Sequence, residues 1–109
     1  MKEFFRNYLD TTIKYKLGKN AEENHNLIDT SDKDFWWFHL KNYPSGHCVC
    51  EKIDIDNDDI LYAANIVKLN SKYRNRKNVS IIYTQIKNIK KTNIIGEIEI
   101  IGLTQKIII

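Results

Sequence analysis

Four aromatic residues in six positions, Phe35-Trp36-Trp37-Phe38-His39-Leu40, restrict the fold of this chain more than any other stretch. Aromatic side chains suit a pleated surface, and this run has no polar residue among its first four, so it reads as a strand buried on both faces. Its neighbour follows directly. Tyr43-Pro44-Ser45-Gly46 has turn chemistry, and His47 to Ile53 reads as the returning strand. Because alternate side chains point to opposite faces, at least one of the two tryptophans is expected under a helix.

The elements on either side follow from local signals. Glu3–Tyr8 and Thr12–Leu17 are β-capable runs separated by Leu9-Asp10-Thr11, the pattern of a hairpin. Gly18 ends the second run, and Asn20 with Glu23 three residues on makes the capping-box pattern that starts a helix reaching about Asp29. Thr30–Asp34 reads as a loop. Asp54–Asp59 puts carboxylates at the start of a second helix, where the positive end of the helix dipole favours them. Ile60, Ala63, Ala64 and Val67 then repeat at helical spacing and give that helix its core face. Lys68 and Lys72 fall in its last turns, and Tyr73–Asn78 is a basic connector. Val79–Ile86 resumes strand character, Lys87–Thr92 is a basic loop, and Glu97–Ile101 and Lys106–Ile109 supply two further strands around Gly102–Gln105. The predicted order is ββαββαβββ, an α+β domain with two helices and a largely antiparallel or mixed sheet. With 109 residues, positions 1–109 are expected to form one domain.

No stretch approaches the roughly 18 consecutive apolar residues of a membrane span, and Met1–Asp10 lacks the apolar segment of a secretory signal, so an intracellular, cytoplasmic setting without a membrane partner is expected. Cys48 and Cys50 are too close in sequence for an unstrained disulfide and are expected as thiols. The apolar run Ile107–Ile109 is expected at a sheet edge, where it would invite pairing.

Charge is unevenly spread. From Ile60 to Gly96 there is no Asp or Glu, while Lys68, Lys72, Arg74, Arg76, Lys77, Lys87, Lys90 and Lys91 are all basic; residues 1–59 hold 8 basic against 12 acidic side chains. A basic block beside an acidic half is the footprint of a polyanion binder, which gains affinity by releasing phosphate counterions. The competing explanation is a solvated surface in a lysine-rich chain, since 14 of its residues are Lys.

Five pieces of sequence, in order, resemble one family. Gly18-Lys19-Asn20-Ala21-Glu22-Glu23-Asn24 opens the first helix, Trp37-Phe38-His39 lies in the aromatic strand, and Pro44-Ser45-Gly46-His47 with Val49 forms the turn. Ala63-Ala64 with Ser71 marks the second helix, and Tyr83-Thr84, Lys90-Lys91 and Gly96 mark a basic strand and loop. Over about residues 4–109 this pattern resembles the NFACT-R domain, the RNA-binding module of the NFACT proteins of ribosome-associated quality control. One departure is local: Asp34 stands five residues before His39 where the family has four, so Phe35 takes the aspartate's place. The resemblance implies a non-enzymatic module for tRNA or ribosomal RNA, with the ribosome as a further partner. It does not imply tail addition to stalled chains, which in larger members uses regions that 109 residues have no room for.

The residues themselves allow RNA contact at several points. Gly18 is expected to supply a backbone conformation denied to other residues, leaving helix N–H groups free for phosphate beside Lys19, with Asn20 and Asn24 able to bond sugar or phosphate. For Asn20 the alternative is plain capping. His39 and His47 come side by side if they pair across the turn, to bond RNA or to fix the hairpin, and protonation below about pH 6.5 would add phosphate affinity. His39, His47, Cys48 and Cys50 are all zinc-capable, yet alternation sends His47 and Cys48 to opposite faces, so neither a metal, another cofactor nor a catalytic residue is assigned. Trp37 is a candidate for base stacking as well as for the core, and Tyr43 and Ser45 in the turn are exposed candidates. Ser71 either contacts RNA or caps the second helix. Lys68, Lys72, Arg74, Arg76, Lys77, Lys87, Lys90 and Lys91 would attract phosphate, and a DNA-binding or protein-interaction module is the alternative reading.

Overall fold

The computed structural model describes residues 1–109. Strand β1, Lys2–Tyr8, turns back through Leu9 at φ 53° into β2, Thr11–Leu17, in an antiparallel hairpin. Helix α1, Ala21–Thr30, starts where Asn20 Oδ1 accepts from the Glu23 N–H at 2.9 Å. Glu23 reaches back one residue beyond the usual capping box and accepts from the Lys19 N–H, also at 2.9 Å. Then come β3, Trp36–Leu40, β4, Cys48–Cys50, and helix α2, Asn57–Leu69. Strand β5 is Ser80–Gln85; after a single 3-10 turn, Ile86–Asn88, follow β6, Ile89–Lys91, β7, Ile98–Ile100, and β8, Gln105–Ile108.

All strand pairs are antiparallel. Six strands form one sheet in the order β1-β2-β4-β3-β5-β8, and β6 and β7 form a separate two-stranded ribbon. The fold is therefore α+β, as expected, with one short strand more than predicted: β6 lies inside the basic stretch that reads as a loop. The strand after the turn is also shorter than the expected His47–Ile53, because only Cys48–Cys50 keeps pairs on both sides.

Strand β3 sits in the interior of the sheet, and its alternation divides the core in two. Phe38 and Leu40 face α2 together with Tyr15, Leu17, Cys48 and Ile81, all buried against Ala63, Ala64 and Val67. Trp37 faces the other way, packed with Val49, Ile86 and Ile89 against Leu27 and Ile28 of α1. This is why four successive aromatic residues are tolerated: each face of the strand is covered by a helix. Burial of an aromatic side chain removes about 150–250 Å² from water, so β3 anchors both halves.

A buried ion cluster closes the α2 side. Asp59 is fully buried, caps α2 reciprocally with Asp56, pairs with Arg6, and accepts from Lys52 Nζ at 2.7 Å. Cys48 and Cys50 are free thiols on this same face. Burial pushes the Cys50 thiol up to about 12 and that of Cys48 upward as well, which leaves neither as a nucleophile. No helix is long and apolar enough to cross a membrane.

Candidate nucleic-acid interface

The α1 face of the sheet is only partly covered, and the uncovered part forms a groove. His39 lies two residues beyond Trp37 and so shares its face, while His47 continues the β3–β4 register past the Phe38–Cys48 pair. Their rings are 5.0 Å apart at 86°, and the Trp37 ring lies 5.6 Å from His39 at 9° and 5.5 Å from His47 at 85°. The two imidazoles thus stand side by side, as pairing across the turn requires. His39 Nδ1 donates to the Leu40 carbonyl at 2.6 Å, so its Nε2 is a bare acceptor, and nothing in the chain engages it.

Burial opposes protonation of both rings. Burial holds His47 down at about 3, with the neighbouring His39 adding to the effect, and burial also lowers His39. His47 is therefore neutral at pH 6, and His39 takes up a proton less readily than a free imidazole. For His47 this corrects the expectation that a mildly acidic medium would charge it.

The start of α1 is tied to the same place. The Gly18 N–H donates to the His47 carbonyl at 3.0 Å, and the His47 N–H donates to Asn24 Oδ1 at 3.1 Å. Gly18 is needed for closeness rather than for a special backbone conformation, since its φ is not positive and a Cβ there would lie 2.1 Å from Asn24 Oδ1. Gly96 is the glycine that does require freedom: its φ is 87°, and a Cβ would approach Ala21 Cβ to 2.6 Å. His25 Nε2 donates to the Glu97 carbonyl at 2.9 Å, so the β6–β7 turn rests on α1 and forms one wall of the groove.

Three connected depressions make up the groove. One end, about 420 Å³, is lined by Lys19, Asn20, Ala21 and Ile95, and meets the middle at His39, Pro44, His47 and Gly96. The middle, about 550 Å³, has Trp37, Ile82, Ile98 and Ile100 in its walls. At the other end, about 420 Å³, lie Lys41, Tyr43, Tyr73, Arg76 and Lys77. Tyr43 is 44% exposed, its ring 4.7 Å from that of Tyr73, and the Arg76 guanidinium lies 5.7 Å from the Tyr73 ring. Asn42 and Asn78, both at positive φ, bend the two loops that bring these side chains together.

The candidate residues separate accordingly. Lys19, Asn20, His39, Tyr43, Ser45, Arg76 and Lys77 line the groove. Asn24 and His47 also border it but are buried, and they position its walls. Trp37 is 1% exposed and offers no free face for a base, because α1 and His39 already cover it. Ser45 is committed to the turn, accepting from the Leu40 N–H and donating to the Gly46 carbonyl; Asn20 and Ser71 both cap, Ser71 bridging the Lys68 carbonyl and the Tyr73 N–H at the end of α2.

The basic block is not one surface. Lys87 pairs with Asp34 at 3.0 Å and Lys91 with Asp29 at 2.7 Å, while Lys90 stands opposite Glu99 on the ribbon. Lys68, Lys72 and Arg74 line none of the three depressions. Lys41 and Tyr73, which the sequence did not single out, do. An aromatic residue interleaved in the basic stretch was the available signal for Tyr73; Lys41 sits in the acidic half and had none. No three His, Cys, Asp or Glu side chains come close enough together to hold a metal ion.

Comparison with known proteins gives this architecture its context. Residues 1–101 match the family model described as the NFACT protein RNA binding domain. The Rqc2 homolog RqcH of Bacillus subtilis is 33% identical over 78 residues, which cover 71% of this chain and 14% of that protein. Coiled-coil domain-containing protein 25 of Mus musculus is 34% identical over 89 residues, covering 75% of this chain and 43% of that one. The chain thus spans less than half the length of the curated relatives it matches. The C-terminal part of the fibronectin/fibrinogen-binding protein from Streptococcus suis shares the fold, with a TM-score of 0.82 at 24% identity, over 89% of this chain and 40% of that one.

Proposed function

The chain belongs to the family of NFACT protein RNA-binding domains, and on that footing we propose that it binds RNA along the groove between α1, the β3–β4 turn and the β6–β7 ribbon. The observation that carries this reading is the distribution of charge and aromatic surface: Lys19 at one end, Lys41, Arg76 and Lys77 at the other, and the Tyr43–Tyr73 pair beside them. Cations neutralise phosphates while exposed rings take unpaired bases, the combination that single-stranded segments require. The module acts by binding and employs no catalytic group of its own. The bound RNA is a tRNA or ribosomal RNA, and the setting is ribosome quality control in the cytoplasm.

Titration of labelled tRNA, single-stranded RNA and sequence-matched DNA at two salt concentrations tests the reading. About three or four phosphate contacts predict that log K falls against log salt with a slope of about −2 to −3. Equal affinity for DNA and RNA would transfer the groove to DNA, and failure to bind any of them would overturn the proposal and leave a protein partner.

A further inference from the structure

We propose that the middle of the groove takes one unpaired nucleobase of the bound RNA, and that His39 selects a base carrying an exocyclic amino group over uracil. The inference rests on the RNA-binding reading above and assigns a ligand to one part of it. Charge does not draw the phosphate backbone into this section, because Lys41, at its boundary with the basic end, is balanced by Glu97. A neutral group therefore suits the space between the cationic ends. The walls suit a flat heteroaromatic ring, since Pro44, Ile82 and Ile98 offer apolar contact and the imidazoles offer polar edges. At about 550 Å³ the space lies within the range of small-ligand clefts.

Trp37 and His47 are packed behind this wall, 1% and 2% exposed, so the polar atom that the wall itself presents belongs to His39. The selective contact comes from His39. Its Nδ1 proton is committed to the Leu40 carbonyl, so Nε2 presents only a lone pair. The proposed register sets position 4 of the ring against Nε2: there cytosine brings an amino donor, whereas uracil sets a carbonyl oxygen against the lone pair and must shift along its edge to offer its N3–H instead.

Cytosine and uracil differ at this group and in the adjoining ring nitrogen, so labelled oligo-C and oligo-U of about ten nucleotides, compared by fluorescence anisotropy at pH 7.5, form the test. The wild type is expected to bind oligo-C about three- to tenfold more tightly, the effect of one hydrogen bond. His39→Phe keeps a ring but removes the acceptor and should bring the ratio close to one, whereas Lys77→Glu should weaken both oligomers and preserve the ratio. Replacing the cytosines by 2-pyrimidinone, which lacks the amino group, should lower wild-type affinity to that for oligo-U, a measurement independent of how any variant folds. Equal wild-type affinity for the two oligomers, or an unchanged ratio in folded His39→Phe, overturns the base site while leaving RNA binding in place. If no oligomer or tRNA binds, both readings fall together.

Discussion

Replacing Lys41 and Lys77 by alanine should weaken RNA binding far more than replacing Lys87 and Lys91, although all four are lysines. Lys41 and Lys77 line the groove and form no ion pair, whereas Lys87 and Lys91 are held by Asp34 and Asp29 at 3.0 and 2.7 Å. For a single strand each phosphate contact contributes about 0.7 to the slope of log K against log salt, so two contacts are worth about 1.4 log units at 0.1 M. The first double variant should therefore bind about 25-fold more weakly at 0.1 M salt and only about threefold more weakly at 0.5 M. For the second the expected loss is below about threefold at either concentration, because removing a paired lysine also frees a carboxylate at an exposed site where ion pairs contribute about 0–1 kcal/mol. Anisotropy titrations across four salt concentrations measure both. Equal losses for the two pairs, or a loss in Lys41→Ala/Lys77→Ala that does not shrink with salt, would refute the assignment of phosphate contacts to the groove.

Two further outcomes probe the scaffold. Asp59→Ala should destabilise the fold by about 3 kcal/mol, at the low end for a broken buried pair because Arg6 and Lys52 remain partly exposed, and a urea midpoint lowered by about 1–3 M would register it. A midpoint unchanged within error would show that the buried cluster is not what fixes α2 to the β1–β2 hairpin. His47 is held at about 3 when folded against an ordinary value of about 6.5, so the unfolded chain takes up its proton first and stability falls as pH drops from about 6.5 toward 3. His47→Gln should flatten that pH dependence of the urea midpoint, and an unchanged dependence in the variant would mean that another group takes up the proton.

Much of the fold is legible in the sequence because its signals are local. Capping at Asn20, the carboxylates of Asp54–Asp59 at the start of α2, the stripe of Ala63, Ala64 and Val67, and the aromatic density of Phe35–Phe38 each report on a few neighbouring residues, and the structure realises all of them. The short strand Ile89–Lys91 escaped because two of its three residues are lysines with no apolar alternation to mark them. Strand order is not local information: nothing in Gln105–Ile108 announces that it pairs with Ser80–Tyr83 at the end of the sheet opposite β1. The site was legible in kind but not in detail. Charge density along the chain located a basic block, yet the acidic half supplies partners for Lys87 and Lys91, and Lys41 from that acidic half turns into the groove. Protonation of His47 and stacking on Trp37 both depended on burial, which a residue's own type does not disclose, and burial decided against both.

The central claim is that RNA lies along one groove, and amide chemical-shift mapping during titration of the full chain with oligo-C tests it most directly. The largest shifts are expected at Lys19–Ala21, His39–His47, Tyr73–Lys77 and Gly96–Ile98, which the chain separates and the fold brings to one groove. Shifts confined to the exposed side of α2, around Asp58, Leu61 and Asn65, with the groove unmoved, would contradict it.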